Sequence, residues 1–457
     1  MTRVLVITGD PVGAKMAGPA IRSWNIARAL SAQASVTLVT TTNLDPIEAP
    51  FELERVRPGE DARFARLLDN SDIVVFQGHA RDQFEALRTT KKIVVCDVYD
   101  PMQLEMLEQG REQPRATWEL MVARAAHAMN GQLAAGDFFL CASNRQRSFY
   151  LGQLAALGRV SPATYADDPH LSDLLAVAPF GLDGTPPVHE KQVLKGIRPG
   201  IGPDDRVIIW GGGIYSWFDP ETLIRAVAAL ARREPRTKLF FLGTRHPGVD
   251  EMDIVTASRR VAADLGATDS SVFFNDAWVD FADRQNYLLE SSAGVSTHQL
   301  HVETEFSFRT RILDYLWAGL PMVVTEGDSM AELVEREGLG IVVPAGDVDA
   351  LEKAIERVLF DEKFAKAARA NIVRVAADFT WDRVLAPLVE FVRDPHHAAD
   401  RPGGVSTGLA REFAGGATRV RQTHGFRHDV SITWHYLVNS GPRTVVRKLA
   451  RRMRRKP

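Results

Sequence analysis

Residues 304–326 read TEFSFRTRILDYLWAGLPMVVTE. A polar loop runs into a short helix, a tight turn and an apolar strand. Ser307 is a good N-cap for a helix over 308–318, Gly319 is placed to stop it, and Pro321 cannot continue it. Residues 322–325 then read as a buried strand. In this register Arg309 and Arg311 lie in the first helical turn, where free backbone N–H groups favour an anion. Asp314 follows one turn later. Cations and amides beside a carboxylate suit a phosphate joined to a sugar hydroxyl, as in a nucleotide-sugar.

Outward from this stretch, apolar β-rich runs alternate with helical patterns. Strands are predicted at 4–8, 36–41, 73–77, 93–98, 138–143 and 176–182, and again at 207–210, 238–242, 272–274, 294–297, 322–325 and 341–343. Most lack polar alternation, as expected of parallel sheets covered on both faces. A Pro/Gly-rich stretch, GLDGTPPVHE followed by GIRPGIGPDD, separates the two series. The pattern predicts an α/β chain of two facing, doubly wound Rossmann-like domains. The expected boundaries are 1–183 and 184–379, then a crossover helix at 380–395 carrying Trp381 and Phe391. Residues 396–457 are expected to form a linker and a basic tail.

The pattern carboxylate–x4–Ala-Gly-Leu-Pro before an apolar strand resembles the donor-site signature of the family 4 glycosyltransferases, which are retaining enzymes of the group 1 type with the GT-B fold. Pro179-Phe180-Gly181-Leu182-Asp183 is similar to the motif that ends their first domain. The resemblance implies that Asp314 stands where the family's second acid binds the nucleotide ribose. The first acid of the Glu-x7-Glu motif falls on Phe306, so the sugar-contacting role passes to Glu303 or Glu305. The family's Arg/Lys pair after the first strand of the donor domain is replaced by Ile214-Tyr215-Ser216-Trp217. Gly212 and Gly213 still offer backbone amides there, and Arg245, Arg309 or Arg311 are candidates for the missing charge. His298, after another strand, is a further donor-side candidate.

In the first domain the loop 9–19 is glycine-rich without being a dinucleotide or Walker fingerprint. Gly13, Lys15, Gly18 and Arg22 are its candidates for contacting phosphate or acceptor. Asp100 follows a strand at the sheet edge where ligands of open α/β sheets bind. It reads either as a sugar-contacting acid or as the cap of a helix starting at Pro101.

Composition is that of a soluble globular protein, with 45% hydrophobic and 25% charged residues in a chain of 457. The length calls for two or three domains. Cys96 and Cys141 sit in apolar runs and read as buried free thiols, as in a reducing cytoplasmic compartment. No metal-ligand spacing appears, and no cofactor is expected beyond the nucleotide-sugar substrate, with UDP preferred over GDP. Residues 443–457 hold eight basic residues and no acid, which leaves 47 basic against 58 acidic residues in the rest. Such a tip is expected to meet an anionic membrane surface rather than nucleic acid, placing the protein in the cytoplasm or on the inner face of the membrane. The acceptor is expected to be a saccharide or a lipid-linked group in cell-surface polysaccharide or glycolipid assembly. A non-catalytic scaffold and a nucleotide-sugar epimerase of the same fold remain open at this level.

Overall fold

Uninterrupted runs of Val, Ile, Leu and Phe have no polar face to offer water, so each is buried on both sides by helices. In the computed structural model, which describes residues 1–14, 16–244, 252–277, 279–280 and 282–414, they form two parallel sheets. The first contains β1 (Arg3–Thr8), β2 (Ser35–Thr40), β3 (Glu52–Arg55), β4 (Ile73–Gln77), β5 (Ile93–Asp97), β6 (Phe138–Cys141) and β7 (Leu175–Val177) in the order β3-β2-β1-β4-β5-β6-β7. The second contains β8 (Arg206–Trp210), β9 (Thr237–Phe241), β10 (Val272–Phe274), β11 (Ala293–Ser296), β12 (Met322–Thr325) and β13 (Gly340–Val343) in the order β10-β9-β8-β11-β12-β13. The winding direction reverses between β1 and β4 and between β8 and β11. Those are the points at which open α/β sheets leave a crevice beyond their carboxyl ends.

Three local expectations are revised. β3 was not expected, because ELER is charged and carries no apolar run; it is an exposed edge strand. β7 ends at Val177 rather than 182, and Pro179 just beyond lacks the N–H that a further ladder bond would need. The helix expected over 308–318 starts only at Arg311 and ends at Trp317. Ser307 instead closes a preceding short helix, Val302–Phe306, through its own backbone N–H. Gly319 does stop the later helix, in the left-handed region at φ +66°.

The segment after the second sheet returns to the first lobe as two helices, Trp381–Val384 and Ala386–Arg393, broken near Pro387. Leu182 bridges Thr380, Phe391 stacks on Phe138 at 4.5 Å, and Gln33 donates to the Val389 carbonyl at 2.8 Å. Trp381 lies so close to Gly181 that a Cβ there would sit 2.5 Å from the indole. Only glycine fits at this junction.

The segment beyond 396 is not a free linker over its described length. Residues 397–414 are strapped to the first lobe. Arg159 and Asp400 form a buried bidentate pair. Asp137 holds Arg401 at 2.6 Å and the Ala398 amide at 3.0 Å, and Ser406 donates to the Ala134 carbonyl. Gly/Ala-rich sequence has little periodicity to reveal such a strap, which is held by single ion pairs rather than an apolar face. The basic tail 443–457 lies outside the described residues. Among the described residues no helix is long and apolar enough to cross a membrane.

Candidate active site

The carboxyl ends of the two sheets approach each other where β5, β8, β11 and β12 end. From β5 the chain runs through Val98 and Tyr99 to Asp100. Asp100 does not cap the helix that follows: that helix is Met102–Gln109, and no side chain caps it. Its carboxyl is instead hydrogen-bonded with that of Glu105, one turn into the helix. Burial pushes Asp100 up to about 6, with the charge of Glu303 adding to the shift. Burial and the Asp100 charge push Glu105 well above the carboxylate range. Two acids in contact with little water cannot both ionise at low cost, so one proton is held between them.

The second lobe supplies the facing charges. Glu303 lies in the helix Val302–Phe306, whose N-cap is the His301 ring, accepting from the Thr304 amide. Arg309 donates to Glu303 at 2.9 and 3.3 Å and lies with its guanidinium 5.1 Å from the centre of the Phe218 ring. Arg311 is stacked between Trp210 at 4.2 Å and Phe218 at 4.0 Å and donates to the Gly213 carbonyl at 3.1 Å. Burial, with the Arg309 charge as a lesser cause, lowers Arg311 to about 10. Among the described residues Arg309 Nε and Arg311 Nη1 are buried N–H groups without a hydrogen-bond acceptor.

His298 is almost fully buried, its Nε2 2.9 Å from the Glu326 carbonyl. Since a carbonyl can only accept, Nε2 carries the proton and Nδ1 is left as an acceptor. Burial and then Arg309 lower His298 to about 3, so the ring is neutral. Asp328 caps the next helix, accepting from the Met330 and Ala331 amides.

A latch ties the lobes beside these groups. Gln146, at the start of a first-lobe helix, donates to the Tyr99 carbonyl of its own lobe and to the Phe306 carbonyl of the other, both at 2.8 Å. Its neighbour Arg145 reaches the Gly327 carbonyl and Glu332. Asp100, Glu105, Glu303 and Arg309 are thereby held in one cluster drawn from both lobes.

Other candidates fall elsewhere. Arg22 is a correction: it is fully buried, binds both oxygens of Asp97 at 2.7 Å and donates to the carbonyls of Ala178 and Pro179. A guanidinium so engaged has nothing to offer a ligand. Glu305 is exposed, outside the Glu303–Arg309 pair. Arg309 precedes the helix rather than lying in its first turn. Arg311 makes no ion pair with Asp314; Asp314 binds Arg284 at 3.0 Å and keeps about a quarter of its side chain exposed. Arg284 lies over Trp317, which donates to the Thr185 carbonyl in the segment joining the lobes. Gly212 turns the loop after β8 at φ +93°. Gly13 packs against Asp45, and Gly18 opens the helix Gly18–Ser31. Lys15 and Arg245 lie outside the described residues. Glu105, Arg145 and Gln146 were missed. The only available signal for Glu105 was an acid one turn after the Asp100-Pro101 pair.

Residues 205–361, the second sheet and its helices, match the family model described as Glycosyl transferases group 1. The chain has the GT-B fold, and its second lobe is the part similar to group 1 glycosyltransferases. It is 23% identical over 296 residues to a D-inositol 3-phosphate glycosyltransferase of Saccharomonospora viridis, a match covering 61% of this chain and 66% of that protein, just under two thirds of its length. Among solved structures, Anabaena HepE in complex with UDP-glucose superposes with a TM-score of 0.64 at 14% identity, over 86% of this chain and 100% of that one. Sucrose-phosphate synthase from Thermosynechococcus elongatus does so at 0.60 and 15%, over 86% and 98%.

Proposed function

We propose that this protein transfers a sugar, with retention, from a nucleotide-diphosphate donor to an acceptor hydroxyl. The observation that carries the reading is the cluster in which Asp100 and Glu105 of one lobe meet Glu303 and Arg309 of the other, at the carboxyl ends of both sheets. The donor lies on the second lobe. Asp314 binds the ribose, the loop at Gly212 and Gly213 approaches the diphosphate, and Arg309 and Arg311 meet its charge with fixed N–H groups. Glu303 lies beside the transferred sugar, with Asp100 across the cleft. In the transfer step the anomeric C–O bond to the diphosphate breaks and a bond to the acceptor oxygen forms. The acceptor proton passes to the departing phosphate oxygen, so no strong protein base is needed. The latch at Gln146 and Arg145 holds the cleft shut against water. UDP is the favoured nucleotide, in line with the UDP-glucose complex of HepE. The acceptor is a saccharide or lipid-linked hydroxyl in cell-surface assembly, with the tail 443–457 on an anionic membrane.

Titration calorimetry with UDP and UDP-sugars tests this reading. Asp314→Asn is expected to weaken UDP about tenfold, roughly 1.4 kcal/mol. Glu303→Gln is expected to retain UDP binding while cutting donor turnover at least about 100-fold, the scale of losing one preorganised transition-state contact. Unchanged UDP affinity in Asp314→Asn overturns the ribose assignment. Donor turnover equal in wild type and Glu303→Gln would leave a binding scaffold.

A further inference from the structure

Four carboxyl groups gather at the cleft: Asp100 and Glu105 from the first lobe, Glu303 and Asp328 from the second. The helix Val302–Phe306 packs on Met102–Gln109, and the Glu303 charge raises both first-lobe acids. Arg309 answers the second-lobe pair, with Nη2 2.9 Å from Glu303 and Nε 3.7 Å from Asp328. Its Nε, buried and without a hydrogen-bond acceptor among the described residues, is the group assigned above to the diphosphate. Two histidines beside these acids add no charge. His298 is neutral, being buried and next to Arg309. His301 accepts the Thr304 amide at Nδ1, so its proton sits on Nε2. Other cations nearby are engaged: Arg145 with the Gly327 carbonyl and Glu332, and His79 at 3.8 Å from Asp82. Among the described residues the acids of the cluster therefore outnumber its cations, even with one proton held between Asp100 and Glu105.

We infer that the sugar moved by this protein is neutral and hydroxyl-bearing, and that the cleft rejects a sugar carboxylate. The inference rests on the donor-site reading above, in which the sugar lies between Glu303 and Asp100. A hydroxyl both donates and accepts, so it can donate to an ionised carboxylate of the cluster and accept from the buried His301 Nε2–H, which has no acceptor among the described residues. A sugar carboxylate can only accept. It would stand against Glu303 and the Asp100–Glu105 pair with little water between, while the guanidinium that could offset it is already shared by two acids.

The test is titration calorimetry on the full chain with UDP, UDP-glucose and UDP-glucuronate. The two sugars differ only in a hydroxymethyl group against a carboxylate, so the comparison isolates that charge. Wild type is expected to bind UDP-glucuronate at least about tenfold more weakly than UDP-glucose, the scale of one like-charge contact. In Glu303→Gln the gap is expected to narrow to within about threefold, because one repelling charge is gone and Arg309 is partly released. Glu105→Gln is expected to narrow it in the same direction, and carries the comparison if Glu303→Gln does not keep its UDP affinity. UDP-glucuronate bound as tightly as UDP-glucose by the wild type overturns the inference. So does a gap that stays the same in both variants, since the repulsion would then come from elsewhere. In either case UDP is still bound, and the donor-site reading stands. Absence of UDP binding to the wild type overturns that reading, and this inference with it.

Discussion

Arg22 in the first lobe and Arg311 in the second are both buried guanidinium groups at the carboxyl end of a sheet, yet their surroundings differ. Arg22 is matched by the Asp97 carboxylate and two carbonyls. Arg311 has one carbonyl acceptor, two aromatic faces and an N–H with no acceptor among the described residues. A satisfied buried cation fixes the chain, here by pinning β5 to the segment that leaves the first lobe. A buried cation left short of acceptors still has an N–H to offer. The same residue type is thus a brace in one lobe and, under the proposed function, a binding group in the other, and the surrounding acceptors make the difference.

The comparison can be broken most severely at Arg22. Asp97→Ala leaves an unpaired buried guanidinium and is expected to destabilise the fold by about 3–5 kcal/mol in urea unfolding. If the loss were under about 1 kcal/mol, Arg22 would not be the brace described. At Arg311 the expectation inverts. Arg311→Met keeps the stacking volume, so stability should change little, while UDP affinity should fall by about 1.5–3 kcal/mol, the scale of hydrogen bonds to a charged group. A variant that loses stability and keeps UDP affinity would make Arg311 a second brace.

The smallest effect is expected at the carboxyl pair. Asp100 is raised to about 6 from 3.8 in the folded state. Its contribution to stability is therefore fully present below about pH 4 and is lost as pH rises through about 6. Glu105 is shifted in the same direction. Glu105→Gln should therefore weaken this pH dependence, gaining more stability against wild type at pH 8 than at pH 5. Parallel thermal-melting profiles for the two proteins across that range would show that no proton is shared there.

Much of this was legible in residue order. Runs such as Ile73–Gln77 and Met322–Thr325 have no polar alternation, so they announced buried parallel strands. Gly319 and Pro321 marked the turn because their backbone limits hold in any context. Harder to read were features that depend on neighbours distant in sequence. Arg22 looked like a loop cation until Asp97, 75 residues away, occupied it. Glu105 drew no reading at all, because its meaning depends on the Asp100 carboxyl beside it. The strap looked like linker because its anchors, Asp137 and Arg159, lie more than 240 residues before their partners.

Backbone chemistry and hydrophobic pattern are local, so the sequence alone determined two doubly wound lobes and their order along the chain. The state of each charge depends on which acceptors and how much water surround it. Only the tertiary structure decided that Arg22 is spent, that Arg311 is short of an acceptor, and that acids from two lobes share one cleft.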